Sequence, residues 1–242
     1  MRRGYLSEIF ASFQGEGLYA GRRHLFLRLA GCHLRCRYCD TPGSLERSAS
    51  VRVYRPAGQV VVADNPLSAG EVLAHATPLL DAGHLDGVAV TGGEPLLQSE
   101  FLAELLSDAR WPRPRLLETS GTLPDKLNAV LEVIDIVSMD IKLASNTGER
   151  AFWEEHRAFL TLAGRKAYVK ILVDETTAVA DVERAAQTVG STGIPVFLQP
   201  ITDPSGRLAI SAPMLERFFS VSKEHVDDLR VLPQTHKMLG IR

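Results

Sequence analysis

The sequence predicts an α/β protein built as a partial, splayed (β/α)6-type, TIM-like barrel with a small N-terminal lead-in and a hairpin insertion. Three observations predict it. Short apolar or β-branched runs alternate with amphipathic stretches, the pattern of parallel βαβ units. Each apolar run turns abruptly polar at its C-terminal end, as strands do where a parallel sheet opens onto a site. The chain has 242 residues, near the roughly 250 of a complete eight-unit barrel, yet it carries only six or seven such runs.

The elements follow in order. SEIFASFQGEG (7–17) begins as a lead-in strand, but its end is too polar and glycine-bearing to be only that. HLFLRL (24–29) reads as a strand leading straight into GCHLRCRYCDT (31–41). VRVYRPAGQVVVA (51–63) alternates and turns at Pro56-Ala57-Gly58, which predicts a β-hairpin insertion. SAGEVLAHATPLL (68–80) opens with Ser68 and has Glu71 three residues on, a capping-box start to a helix. The strands GVAVTGGEP (87–95), RLLETSG (115–121), IVSMDIK (136–142), YVKILV (168–173), PVFLQP (195–200) and LRVLPQ (229–234) then repeat the format. Helical spacing predicts helices over QSEFLAELLSDAR, DKLNAVLEVI, AVADVERAAQTVG and SAPMLERFFSVSK between them. No linker divides the chain, so residues 1–242 are expected to form one domain.

Composition bounds the function. The 27 basic and 29 acidic residues leave a net charge of −2, which argues against a surface that coats nucleic acid. MRRGYLSEIF has no long apolar run behind its arginines, and no window approaches the roughly 18 apolar residues of a membrane span. The expectation is a soluble, cytoplasmic protein with no direct nucleic-acid contact and no membrane. All three cysteines, Cys32, Cys36 and Cys39, fall in one loop, which is no disulfide framework.

The loop reads best as a metal centre. Thiolates select zinc, copper(I) or iron–sulfur clusters. Structural zinc takes four ligands, and His33 is badly placed to supply the fourth. A redox Cys-x-x-Cys reading of Cys36 and Cys39 leaves Cys32 without a role. A four-iron cluster held by three thiolates keeps one iron open, as catalytic metal sites do. Arg35 and Arg37 would help hold the thiolates deprotonated. The polar strand ends at Thr91 to Glu94, Glu118 to Ser120, Asp140, Lys142, Gln199 and Gln234 to Lys237 are expected to converge on the same rim as the loop.

Cys-x3-Cys-x2-Cys after a strand of a partial α/β barrel resembles the radical S-adenosylmethionine superfamily. FQGEG (13–17), FLRLAGC (26–32), CDT (39–41), TGGEP (91–95), DIKL (140–143) and PQTHK (233–237), in that order, resemble the 7-carboxy-7-deazaguanine synthase family within it. The resemblance spans residues 5–240. It implies a lyase that converts 6-carboxy-5,6,7,8-tetrahydropterin to 7-carboxy-7-deazaguanine and ammonia, in queuosine and deazapurine biosynthesis. It implies a [4Fe-4S] cluster on the three cysteines, S-adenosylmethionine on the open iron, and Mg²⁺. The radical chemistry is the cofactor's, so no residue is assigned as catalytic. Thr41 is the matching Mg²⁺ ligand, its bland alternative being a loop cap before Pro42. Phe13, Gln14, Gly15, Glu16, Arg28, Thr91 and His236 match the substrate shell. An Arg28 fork suits a substrate carboxylate, against the alternative of a structural salt bridge. Tyr38, Cys39, Asp40, Gly93, Ser120, Ser138, Asp140, Lys142, Gln199 and Pro200 match the S-adenosylmethionine shell. Some family members carry a Ser-Pro-Lys run where this chain reads SMDIK, so the resemblance does not choose among Ser138, Asp140 and Lys142. An external one-electron donor, flavodoxin- or ferredoxin-like, and a homodimer are also implied. The rival enzyme class is a glycyl-radical activase acting on a partner protein, which would leave FQGEG and Arg28 without purpose. The rival non-enzyme class is a zinc-binding module.

Overall fold

A computed structural model describes residues 2–190, 192–203 and 205–242. Its strands are β1 (Arg3–Gly4), β2 (Leu6–Phe13), β3 (Arg23–Leu29), β4 (Ser50–Tyr54), β5 (Val60–Asp64), β6 (Leu67–Ser68), β7 (Gly87–Gly92), β8 (Arg115–Thr119), β9 (Ile136–Ile141), β10 (Ala167–Val173), β11 (Val196–Pro200) and β12 (Leu229–Val231). Its helices are α1 (Ala69–Asp81), α2 (Ser99–Leu106), α3 (Pro124–Leu127), α4 (Ala144–Thr147), α5 (Trp153–Ala163), α6 (Val179–Val189), α7 (Ala212–Lys223) and α8 (Thr235–Met238).

One sheet carries the fold, in the order β12-β11-β10-β9-β8-β7-β3-β2-β4-β5. From β3 through β7 to β12 every neighbouring pair is parallel. The sheet stays open, with β12 and β5 at its edges, so the expected splayed barrel is what forms. β2 runs antiparallel to β3 with Phe13 opposite Arg23, so residues 14–17 follow β2 at the end of the sheet where β3 begins, opposite the end where β3 releases the cysteine loop. The predicted hairpin is present as β4 and β5, antiparallel with Val53 opposite Val61, and it docks β4 on β2.

Alternation along the strands builds two apolar layers. The larger packs the helices against the outer face, with Leu27, Val90, Leu117, Val137, Val169 and Leu198 from the strands. The smaller fills the barrel interior with Phe10, Phe26, Ala89, Leu116, Tyr168 and Phe197. Phe10 and Phe26 stack with ring centroids 5.0 Å apart. This inner plug closes one end of the barrel, so the polar strand ends face a cavity on the other.

The capping box of α1 is formed in full: Ser68 Oγ accepts from the Glu71 backbone, and Glu71 accepts from the Ser68 N–H at 2.7 Å. One helix is shorter than its pattern. DKLNAVLEVI yields only the single turn of α3, then turns closed by Leu127 O to Val130 N and Val130 O to Val133 N. Those i→i+3 bonds still bury Leu127, Val130 and Ile134, so the apolar spacing is met without an α-helix. No helix among the described residues is long and apolar enough to cross a membrane.

His24 and His156 are both 0% exposed, and burial drives each down to about 4 from 6.5. Both are therefore neutral in the fold, whereas the unfolded chain gains protons below pH 6.5. This contribution to stability is intact above pH 6.5 and is lost as pH falls toward 4. Between pH 7 and pH 5 the loss is about 2 kcal/mol for each histidine. Urea unfolding at the two pH values measures it, and His24→Leu removes roughly half of the pH dependence.

Candidate active site

The polar strand ends enclose a cavity of about 450 Å³. Cys32, Cys36 and Cys39 line it together with Phe13, Gln14, Gly15, Glu16, Arg28, Tyr38, Asp40, Thr41, Thr91, Gly93, Ser120, Asp140, Lys142 and His236. The sequence thus places nearly all of its candidate residues in one space. Ser138, Gln199 and Pro200 stand outside the lining and are buried. Ser138 lies two residues before Asp140 on the same face of β9, one layer deeper and level with Tyr168. Asp140 and Lys142, rather than Ser138, are therefore the members of SMDIK that reach the cavity.

Backbone contacts fix the cysteine loop. Gly31 N donates to Ser44 O at 2.8 Å, Cys32 N to Leu45 O at 3.0 Å, and Glu94 N to Gly31 O at 2.9 Å. A Cβ on Gly93 would lie 2.4 Å from Gly31 O and 2.7 Å from Ser44 O. The TGGEP glycine is thus required by its packing on the cysteine loop, before any ligand is considered. Glu94, 1% exposed, ties the next strand end in: it accepts from Thr119 Oγ1 at 2.8 Å, Ser120 N at 2.9 Å and Ser120 Oγ at 2.6 Å.

The three thiols are half-buried, and burial pushes Cys32 and Cys36 up. The cation that opposes this is Lys142. Arg35 and Arg37 do not serve the thiols as expected. Arg35 donates to the carbonyls of Cys32 and Leu34 and pairs with Glu46, while Arg37 donates to Ser145 O. Both guanidiniums are spent on holding the loop. His33 shares a hydrogen bond of 2.8 Å with Thr122 Oγ1, so it is tied elsewhere. Among the described residues no three Cys, His, Asp or Glu side chains close round a single-ion position. A cluster asks less, since each thiolate binds its own iron. Three thiols on one cavity wall fit it, with Lys142 to offset their charge. Gln199 adds a second fit. Its amide is fully buried with neither Nε2 nor Oε1 partnered, in register with Leu172 of the cavity wall. A polar ligand reaching that wall would satisfy it.

The opposite wall is a carboxylate network. Glu118 Oε1 accepts from Gln14 Nε2 at 2.7 Å, and its Oε2 accepts from Thr91 Oγ1 at 2.7 Å. Glu16 accepts from Gln234 Nε2 at 2.8 Å and pairs with Lys170. Burial alone would raise the Glu16 carboxyl, but the Lys170 ammonium and these hydrogen bonds hold it below its usual range. Asp40 is held down in the same way, by Lys237 at 2.9 Å, against the burial that would raise it. Gln234 Nε2 also reaches Asp40 Oδ2 at 3.4 Å, linking the C-terminal segment to the cysteine loop. Thr235 N donates to Gly15 O at 3.0 Å, and a Cβ on Gly15 would meet His236 Nδ1 at 2.0 Å. Gly15 is therefore the residue that lets His236 reach the cavity.

Arg28 makes the structural salt bridge, its Nε donating to Glu8 at 3.0 Å, and also lines the cavity. Glu8, 8% exposed, also accepts from Tyr54 Oη at 3.3 Å and Arg242 Nη1 at 2.7 Å, with Arg52 at 3.7 Å. One carboxylate thus faces three guanidiniums, and the surplus positive charge suits an anionic group beside Arg28. The hairpin insertion contributes Arg52 and Tyr54 to this cluster.

Glu8, Lys170 and the pairing role of Glu118 are the members that sequence reading did not assign. The available signal was a lone charge inside an apolar strand, as in YVKILV, since such a charge is costly to bury unpaired.

A model of the Radical SAM superfamily matches residues 27–200. The 7-carboxy-7-deazaguanine synthase of Geobacter sulfurreducens is 36% identical over 97% of this chain and 96% of its own length. Those of Archaeoglobus fulgidus and Methanothermobacter thermautotrophicus are 34% and 32% identical, over 99% and 100% of this chain and 100% and 99% of their own lengths. Among solved structures, QueE from Escherichia coli superposes with a TM-score of 0.62 at 22% identity, over 96% of this chain and 94% of that one. A radical SAM methyltransferase from Sphaerobacter thermophilus gives 0.59 at 15%, over 94% of this chain and 77% of that one. At those identities the two structures show a shared fold.

Proposed function

Because the chain belongs to the radical SAM superfamily and, within it, to the 7-carboxy-7-deazaguanine synthase family, we propose that it converts 6-carboxy-5,6,7,8-tetrahydropterin to 7-carboxy-7-deazaguanine and ammonia. The observation that carries this reading is one cavity with three thiols on one wall and an ordered set of pterin-complementary groups on the other. On this reading residues 1–242 work as one radical SAM domain in queuosine and deazapurine biosynthesis.

Cys32, Cys36 and Cys39 hold the [4Fe-4S] cluster. The cluster, when bound by these thiolates, would supply the one-electron reduction of S-adenosylmethionine. The chain's own residues bind and orient. Glu16, held as a carboxylate, and Glu118 accept from the N–H donors of the pterin pyrimidinone edge. Gln14 and Thr91 fix the two Glu118 oxygens. Arg28, braced by Glu8, receives the substrate carboxylate, with His236 beside it. Tyr38, Asp40, Ser120, Asp140 and Lys142 form the S-adenosylmethionine side, and the buried Gln199 amide completes it from behind. The Phe10–Phe26 plug and Leu172 keep water out of the floor. An external one-electron donor, a homodimer and a cytoplasmic setting belong to the same proposal and rest on the family resemblance.

Mg²⁺ is assigned to Thr41. The hydroxyl lines the cavity, 4.0 Å from Cys39 Sγ, and its helix-cap alternative is weakened because it makes no side-chain cap bond to the 3₁₀ turn at Pro42–Ser44. A hydroxyl, a substrate carboxylate and waters suit a hard, weakly held cation. Thr41→Ala raises the half-saturating Mg²⁺ concentration about tenfold, the equivalent of about 1.4 kcal/mol. Initial rates across a Mg²⁺ titration measure it, and an unchanged midpoint removes Thr41 as the ligand.

Incubating the reconstituted protein with carboxytetrahydropterin, S-adenosylmethionine and a reductant tests the whole reading. Formation of 7-carboxy-7-deazaguanine supports it. Release of deoxyadenosine without that product points instead to an activase of a partner protein.

A further inference from the structure

Lys170 lies in the middle of β10, the strand AYVKILV, whose residues are all buried. Its side chain is 4% exposed and faces the cavity. An ammonium there persists only if it is paired. It has two carboxylates. One is Glu16, from the loop after β2. The other is Asp140, at the end of β9, with Oδ1 at 3.0 Å. The second contact is an ion pair off the hydrogen-bond angle, so Asp140 Oδ1 keeps acceptor capacity for a ligand.

Each carboxylate is held on its far side as well. Gln234 Nε2 donates to Glu16 at 2.8 Å, and Lys142 Nζ donates to Asp140 at 3.0 Å. Lys142 in turn lies 5.5 Å above the Tyr38 ring, next to Cys39. A continuous chain of charged contacts therefore runs from FQGEG to the cysteine loop. Lys170 is its midpoint, the one ammonium in it that touches both the FQGEG carboxylate and the DIK carboxylate.

We propose that Lys170 is a positioning residue that holds the pterin-binding half of the cavity in register with the S-adenosylmethionine-binding half, and so couples the binding of the two ligands. The proposal rests on the functional reading above. Hydrogen abstraction needs donor and acceptor held within roughly 3–3.5 Å, and a misplacement of about 1 Å costs on the order of a hundredfold. Glu16 locates one partner and Asp140 the other. A single buried ammonium between them sets their separation. Without it the two carboxylates repel, and each ligand settles independently of the other.

The test is a linkage measurement on the cluster-loaded protein without reductant, so that no turnover occurs. Calorimetry gives the affinity for 7-carboxy-7-deazaguanine with and without S-adenosylmethionine, and the ratio of the two is the coupling factor. In the wild type S-adenosylmethionine tightens that binding. Lys170→Met brings the factor down at least fivefold toward one. Lys170→Arg, which keeps the cation, retains most of it. Under turnover, Lys170→Met also raises deoxyadenosine released per product at least tenfold. A lysine that merely stabilised the fold would move neither ratio. Should Lys170→Met not fold, Lys170→Met with Asp140→Asn restores charge balance and is expected to show the same loss of coupling. Equal affinities in the wild type, or a folded variant with unchanged ratios, overturns the proposal. Wild-type turnover of the pterin in the same assay tests the functional reading separately.

Discussion

Replacing any one of Cys32, Cys36 or Cys39 with alanine abolishes product formation and deoxyadenosine release, and the anaerobically reconstituted protein loses its brown colour. On the proposed reading the cluster would have three thiolate ligands and no spare, because His33 is committed to Thr122 and the chain contains no fourth cysteine. The fold survives the change. The loop is held by backbone bonds from Gly31, Cys32 and Glu94 and by the Arg35 and Arg37 contacts, none of which uses a thiol. Stability of the cluster-free variants therefore stays within about 1 kcal/mol of the cluster-free wild type. Iron content and visible absorption check the first part, and chemical denaturation checks the second. A variant that keeps full iron and full activity removes that cysteine from the ligand set.

Glu118→Gln lowers kcat/KM for the pterin by two to three orders of magnitude while leaving the cluster intact. Glu118 accepts from Gln14 with one oxygen and from Thr91 with the other. An amide offers one acceptor and turns an N–H either toward Gln14 Nε2, which then has no acceptor, or toward Thr91, whose hydroxyl must then turn round to accept. Losing a charge-assisted pair to the substrate edge and misplacing Gln14 together cost about 3–4 kcal/mol. Steady-state kinetics with carboxytetrahydropterin measure the loss. Affinity for S-adenosylmethionine on the same sample changes less than threefold, since Glu118 stands on the other wall. Equal losses for both ligands show a collapsed cavity and sink the assignment.

The parts of this site that could be read early have a common cause. Cys32, Cys36 and Cys39 must lie close in sequence because one short loop has to present all three thiols, so their chemistry is written in local spacing. Thr91, Ser120, Asp140 and Lys142 were legible because a parallel sheet sends its strand ends to one rim. FQGEG was legible for its polarity after an apolar strand. Lys170 and Glu16 were not legible as a pair. They stand 154 positions apart, and their meeting depends on β2 and β10 facing one cavity. Glu8 is similar: its partners Arg28, Arg52 and Arg242 come from three separate segments. Arg35 and Arg37 misled for the converse reason. Nearness in sequence to the thiols suggested an electrostatic role, but their side chains reach carbonyls and Glu46 instead. The region 124–134 met its apolar spacing through tight turns, a choice that periodicity alone does not make.

By itself, the sequence determined the class of sheet, the ligand loop and the set of side chains brought to the rim, because period, punctuation and thiol spacing are local properties of the chain. Only the tertiary structure decided how those side chains are paired. It put Ser138 a layer below Asp140, made Gly93 a matter of loop packing and set Lys170 between two carboxylates. Pairing of buried charges depends on distances of a few ångströms between strands far apart in the chain, and such distances exist only once the sheet has formed.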